Sequence, residues 1–352
     1  MKNINSSAGL VKLVSVFTKK NDKKRGAEAL GFAYKKTKLH DAHKKAHKLR
    51  MCGSQLVYGI YEDESYELLA GYFCQLRLCP QCSWFRATRI FDNVYQIITD
   101  KEFSGKQFVF LTLTVRNCKG ENLEYEIVRL LTAWRKLTDN KSKPFRKAFL
   151  GTFRALEVTY NKHTEEYHPH LHAMAAVDPE YFRKSNKDYI DHDRLIKLWR
   201  EACELDYDPS VRIQRVKNTS KKQVAEVAKY TVKSADYISR PEVVAVLDPA
   251  LHRKRLIAYG GLFKTVRTKL NLPDEDKAGP DLPQEKAFSA LMNPCIQKIL
   301  VEWRFGTYHL SQLDNFSAEG MVNAADRLAC DVIDNYMGQP AEAVFSGGQG
   351  GV

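Results

Sequence analysis

The sequence predicts an α+β fold, an antiparallel or mixed sheet with helices on one face. Three observations carry that expectation. Apolar runs of strand length, QFVFLTLTV from Gln107, GTFRALEVTY from Gly151 and HPHLHAMAAV from His168, succeed one another in mid-chain. The second and third are separated by the polar stretch NKHTEEY, which closes a hairpin centred near Thr164. Stretches of helical period, YEIVRLLTAWRKL, LIKLWREAC and KKQVAEVAKYTVKSADYIS, lie between and after the strands, so the sheet has helices available to cover it.

The 352 residues, 44% apolar and 28% charged, suffice for two or three soluble domains with sizeable cores. A formal net charge of +13 and an isoelectric point near 9.2 favour a polyanionic partner. Nucleic acid stands ahead of an anionic membrane surface, because Lys and Arg release counterions from phosphates. The N-terminal LVKLVSVF is too short to span a bilayer, is broken by Lys12 and lacks a small-residue cleavage site, so a cytoplasmic protein without membrane contact is expected. Eight cysteines in that reducing compartment point to metal binding, catalysis or burial rather than to disulfides.

Taken in order, the Lys- and His-rich stretch KKNDKKRGAEALGFAYKKTKLHDAHKKAHKLR reads either as a solvated arm or as one that tracks phosphates. The segment from Met51 to about Arg86 carries Cys52, Cys74, Cys79 and Cys82 in the spacing C-x21-C-x4-C-x2-C, and a helix follows to Ile98. In RLCPQCSW a tight turn places two thiolates on one side, and two more complete a closed tetrahedral Zn²⁺ site. A redox pair, which would call for a βαβ context, and simple burial are the alternatives. After the strands, helical patterns begin at Asp191, the second ending before Pro241. RLIAYGGLFKTVR comes next, and from about Leu272 the Pro- and charge-rich LPDEDKAGPDLPQEK opens an appendage that ends in SGGQGGV.

Two constellations carry chemistry. Alternation along a strand puts His168, His170 and His172 on one face and Leu171, Ala173, Ala175 and Val177 on the other. A His-x-His pair can bind one metal ion or simply be two satisfied polar residues. Glu157 shares its face with Phe153 and Ala155, where an apolar residue would be expected, and the hairpin brings it opposite His170 and His172. Two imidazoles and a carboxylate suit a divalent metal that must polarise an oxygen. In the helix that follows, Val224, Val227, Ala228, Thr231, Ala235 and Ile238 fall on one side, while Glu226, Tyr230, Lys233 and Tyr237 fall opposite. That second side is either an ordinary solvated face or a phenolic nucleophile with a cation and a carboxylate one turn away, as phosphoryl transfer needs.

FLTLTV, then HPHLH, then EVAKYTVKSADY, in that order, resemble the HUH endonucleases, and among them the rolling-circle replication initiators of small bacterial plasmids. The resemblance runs from about Cys52 to Lys264, and its RLCPQC element is of the family's sort. It implies an antiparallel sheet flanked by helices and a divalent Mg²⁺ or Mn²⁺ on His170 and His172, with Glu157 as candidate third ligand. The nucleophilic tyrosine maps onto Tyr230. The Glu-x-x-x-Tyr spacing of Glu226 resembles members that end a cycle by hydrolysis, with Lys233 as the nearby cation. Tyr237 ranks second as nucleophile, because six intervening residues depart from the two-tyrosine pattern of three. The implied organisation is a basic, zinc-binding segment (1–100), an HUH nuclease domain (101–270) and a helical C-terminal region with a flexible tail (271–352). Single-stranded or hairpin origin DNA, a host helicase and a DNA polymerase are the partners implied. A relaxase or single-strand transposase of the same superfamily, and a non-catalytic zinc-dependent DNA-binding regulator, stand as rivals.

Overall fold

The structure is a computed structural model that describes residues 8–60, 66–139, 144–216, 234–277, 279 and 297–312. From the N-terminus the elements are α1 (Ala8–Lys35), α2 (Ala42–Met51), β1 (Gln55–Ile60), β2 (Tyr66–Gly71) and α3 (Pro80–Thr99). Next come β3 (Gln107–Thr114), α4 (Leu123–Thr138), α5 (Pro144–Ala148), β4 (Gly151–Asn161), β5 (Glu166–Val177) and α6 (His192–Cys203). β6 (Val211–Val216), α7 (Pro241–Leu251), β7 (Ile257–Gly261), α8 (Leu262–Lys269), β8 (Gln297–Arg304) and β9 (Thr307–Gln312) complete the series. The fold is α+β with two antiparallel sheets, and the chain divides into two compact units.

The smaller unit holds the sheet β2-β1-β8-β9. Its second hairpin corrects the expectation of a helical C-terminal region: the described residues 297–312 are strands. Ile299 and Val301 are buried on one face while Leu300 and Glu302 are partly exposed, a period of two rather than 3.6. Phe305 and Gly306, with φ of 52° and 78°, make the two-residue turn that a twisted hairpin favours.

In the larger unit the strand order is β6-β3-β5-β4-β7, every neighbouring pair antiparallel. The β4–β5 hairpin turns through residues 162–165, where the Asn161 side chain accepts from the His163 amide at 2.9 Å. That short connection fixes the register, with Asn161 opposite Glu166 and Glu157 opposite His170. Helix α6 starts at Asp191, whose carboxylate accepts from the Arg194 amide, and stops at Glu204 in a left-handed conformation.

Both faces of this sheet are covered, where the sequence suggested helices on one. Strand β5 is apolar on its two sides over Leu171 to Val177 apart from His172, so each side needs a partner. On one face, Phe108, Phe153, Met174 and Ala176 pack with Val94, Ile97 and Ile98 of α3 and Phe263 and Val266 of α8. Across the sheet, α4 packs on β5 and is flanked by α6 and α7. Part of the basic N-terminal stretch is packed as well: Leu30, Tyr34 and Leu49 are fully buried. Tyr34 donates to an Asp248 oxygen at 2.7 Å and Lys45 reaches the other at 2.6 Å. Among the described residues no helix is long and apolar enough to cross a membrane.

Candidate metal centre and active site

The face that carries the Phe108–Phe153–Met174 core turns polar further along the same strands. In register there lie Thr112 beside His172, and Thr114, His170 and Glu157 side by side. The apolar cluster holds the sheet rigid behind this polar end, so the side chains are placed by strands rather than loops. His172 Nε2 lies 3.0 Å from Glu157 Oε2, and His170 Nε2 lies 3.4 Å from the same oxygen. The two Nε2 atoms are 3.2 Å apart. One donor atom from each residue falls within 4.8 Å of the others.

The protonation pattern follows from the neighbours. His170 Nδ1 is 3.1 Å from the His168 carbonyl oxygen. A carbonyl only accepts, so Nδ1 carries the proton and donates. Nε2 then faces Glu157 and His172 and is the nitrogen that His170 would offer to a metal. His172 is backed by Thr112, whose Oγ1 is 3.4 Å from Nδ1, and by the Phe110 ring at 5.6 Å between centroids. Burial would push the Glu157 carboxyl up, but hydrogen bonding to His170 and His172, and their charge, hold it down at about 2. The carboxylate is therefore ionised and ready to ligate. His168, third in the row, is not in the cluster: its ring stacks on His170 at 5.0 Å. Burial and the His170 ring lower its pKa, against an opposing pull from Glu157.

This donor set fits a divalent ion. Three ligands on one face of an octahedron with bonds of about 2.0–2.1 Å sit about 3 Å apart, and the observed separations are 3.0, 3.2 and 3.4 Å. Two neutral imidazoles with one carboxylate leave open positions for an oxygen of a substrate. Thr112 and the His168 carbonyl, which orient the two rings, were missed from sequence. FLTLTV held a signal for the first, since Thr112 and Thr114 alternate with leucines on a strand facing the histidines.

Tyr230, Glu226 and Lys233 lie outside the described residues. Tyr237 does not, and its assignment to the polar face is corrected: the side chain is 1% exposed and its hydroxyl donates to the Leu78 carbonyl oxygen at 2.7 Å. Residues 234–236 form a 3₁₀ turn, whose three residues per turn break the α-helical phase from which its position was counted.

Of the four cysteines, Cys52 and Cys74 lie in the smaller unit and Cys79 and Cys82 in the larger; all four are buried, and none is in a disulfide. Cys79 caps the N-terminus of α3, with Pro80 at its first position. Four thiols in the sequence spacing C-x21-C-x4-C-x2-C are compatible with zinc.

A family model described as "Replication protein" matches residues 65–310. A relative named "Protein rep" from Bacillus amyloliquefaciens is 37% identical over 265 residues, spanning 68% of this chain and 76% of its own. Another of that name, from Lentilactobacillus hilgardii, is 34% identical over 276 residues, spanning 74% and 86%. A "Replication protein" from Staphylococcus aureus is 38% identical over 183 residues, spanning 49% and 77%. No solved structure matches the chain significantly. A family model covering well over half of the sequence, together with relatives above 30% identity along two thirds of it or more, means that the chain belongs to the replication-protein family, the rolling-circle initiators of plasmid replication.

Proposed function

We propose that the chain is an HUH-type nuclease that nicks one DNA strand at a plasmid origin and retains the cut end covalently. The observation that carries this reading is the convergence of Glu157, His170 and His172 at the polar end of an antiparallel sheet, in a chain of a replication-initiator family. His170, His172 and Glu157 would hold Mg²⁺ or Mn²⁺, which when bound supplies Lewis-acid polarisation of the scissile phosphate. Thr112 and the His168 carbonyl keep the two rings turned toward Glu157.

In this proposal the Tyr230 phenolic oxygen attacks phosphorus. A bond forms between that oxygen and the 5′ phosphate, the bond from phosphorus to the 3′ oxygen breaks, and the 3′ oxygen leaves as a hydroxyl that primes synthesis. The phenolic proton departs to solvent or to a neighbouring base, and Lys233 offsets developing negative charge. At termination the link is resolved by strand joining, through attack of a 3′ hydroxyl, or by water that Glu226 deprotonates. The four cysteines hold a structural Zn²⁺ apart from this chemistry, since a closed thiolate site offers no open position. Origin DNA in single-stranded or hairpin form, with a host helicase and polymerase downstream, are the partners this reading requires.

The test is a labelled oligonucleotide carrying the plasmid's origin, incubated with protein and Mg²⁺ or Mn²⁺ and run on a denaturing gel. Wild type should form a covalent adduct that EDTA abolishes; Tyr230→Phe, His170→Ala and His172→Ala should form none while remaining folded. Adduct formation that survives thorough chelation would remove the metal role, and its persistence in Tyr230→Phe would remove the nucleophile. A non-catalytic regulator would bind the oligonucleotide and form no adduct at all.

A further inference from the structure

On the sheet face opposite the histidines, the edge pair β4–β7 with helices α4 and α5 encloses a cavity of about 490 Å³. Five cations line it, Arg135, Arg146, Arg154, Arg255 and Lys264, against one carboxylate, Asp139. None of the five forms an ion pair with a described residue. Surface cations are ordinarily solvated, but Arg154 is 4% exposed. Its Nη1 donates to the carbonyl oxygens of Arg255 and Leu256 at 2.9 and 3.0 Å, and its buried Nε has no hydrogen-bond partner among the described residues.

A guanidinium without a counter-charge in such a place is costly, because burial strips its water and supplies no anion in return. Burial and the nearby Arg255 lower its pKa to about 10, so it is still charged at neutral pH. The other four complete a gradient from wall to mouth: Arg146 is half-buried, and Arg135, Arg255 and Lys264 are exposed. Gly261 lets the chain approach Arg146, for a Cβ there would meet the Leu150 oxygen at 2.4 Å and Arg146 Nη1 at 3.2 Å. Trp134 and Phe145 supply an apolar wall beside these cations. The volume lies within the range of about 300–1,000 Å³ usual for small-molecule sites, and the lining is polar and cationic on one side and apolar on the other.

We propose that this cavity binds the phosphate of a nucleotide, either free as a nucleoside polyphosphate or at the 5′-phosphorylated end of a DNA strand. A phosphate accepts several charge-assisted hydrogen bonds from guanidinium groups at once and supplies the counter-charge that Arg154 lacks. The site is separate from the candidate metal centre: Arg154 and Glu157, three residues apart on β4, point to opposite faces of the sheet.

The experiment is isothermal titration of the full-length protein, in EDTA to silence the metal centre, with ATP and with a short non-origin oligonucleotide carrying either a 5′ phosphate or a 5′ hydroxyl. Binding of ATP, or of the phosphorylated oligonucleotide in preference to the hydroxyl form, is expected, and which of the two binds identifies the source of the phosphate. Arg154→Met should weaken that binding at least about tenfold, or about 1.4 kcal/mol at 25 °C. The double variant Arg135→Ala/Lys264→Ala, which leaves the buried guanidinium in place, should weaken it several-fold and decides the matter if Arg154→Met does not fold. Because EDTA is present and no cutting is measured, failure of the nicking proposal leaves this result unaffected. Absence of binding by ATP and by the 5′-phosphorylated oligonucleotide at millimolar concentration would overturn the proposal, and so would binding unchanged in the variants.

Discussion

Replacing Tyr237 with Phe separates a structural tyrosine from a nucleophilic one. The hydroxyl is removed from a side chain that is 1% exposed and donates at 2.7 Å to the Leu78 carbonyl oxygen, immediately before the Cys79–Cys82 knuckle. A neutral hydrogen bond is worth about 0.5–1.5 kcal/mol net, and leaving the carbonyl dry raises the cost toward about 3 kcal/mol. The ring itself stays, so no cavity larger than one oxygen opens and the lower half of that range applies. Against a total stability of about 5–15 kcal/mol, the loss should appear as a lower urea midpoint with an unchanged slope. The covalent adduct with origin oligonucleotide should form at the wild-type level. If Tyr237→Phe is fully folded yet forms no adduct, while Tyr230→Phe still does, the assignment of roles fails. An unchanged midpoint would instead mean that the Leu78 contact contributes nothing.

Protein purified without added zinc should carry about one Zn²⁺ per chain and lose it in Cys79→Ser; elemental analysis giving under half an equivalent in folded wild type would count against the thiolate site. Because Lys35 and Lys44 are exposed on otherwise packed helices and Lys36 and Lys38 are exposed in the connection between them, replacing all four with Gln should leave the fold intact and flatten the dependence of log K for DNA on log salt by about 0.9 for each phosphate contact removed. A wild-type slope would place the phosphate contacts elsewhere. In chelated protein the Glu157 carboxyl is depressed from its ordinary 4.5 to about 2, so the stability it contributes is present above about pH 4.5 and is lost as pH falls through about 2. Glu157→Gln should erase that acid limb from a plot of urea midpoint against pH, and an identical plot would show that the two imidazoles do not hold the carboxylate.

The meeting of Glu157 with His170 and His172 was legible because it is built from the part of the fold with the least freedom. A short polar connection between two alternating strands leaves few registers, and only those of one parity put Glu157 on the face of His170 and His172. The tautomer of His170 was not legible, since it depends on a backbone carbonyl two residues away that could as well have paired across the sheet. Tyr237 failed for a different reason: a helical wheel assumes one rotation per residue, and the 3₁₀ turn over Ser234–Asp236 changes it. The N-terminal stretch hid its packing because lysines dominate the eye, although Leu30, Tyr34 and Leu49 mark its buried positions. α7 was missed because it contains two prolines, Pro241 at its first position, where a missing amide costs nothing, and Pro249 inside its last turn.

Strand β4 shows how local chemistry and tertiary burial divide the information. GTFRALEVTY contains two charges, and both read as exceptions in an apolar run. For Glu157 the exception had a visible partner, because the next strand presents histidines at matching positions and the hairpin dictates that they meet. Arg154 has no such partner in sequence. It faces the other side of the sheet, where α4, α5 and the residues leading into β7 close over it, and its burial cannot be deduced from any neighbour on its own hairpin. The two residues nevertheless obey one rule: an odd separation on a strand sends side chains to opposite faces. A carboxylate can be buried here because two imidazoles satisfy it. A guanidinium with one nitrogen left unpaired has no comparable compensation among the described residues, and that asymmetry is the physical ground for seeking its anion outside the protein.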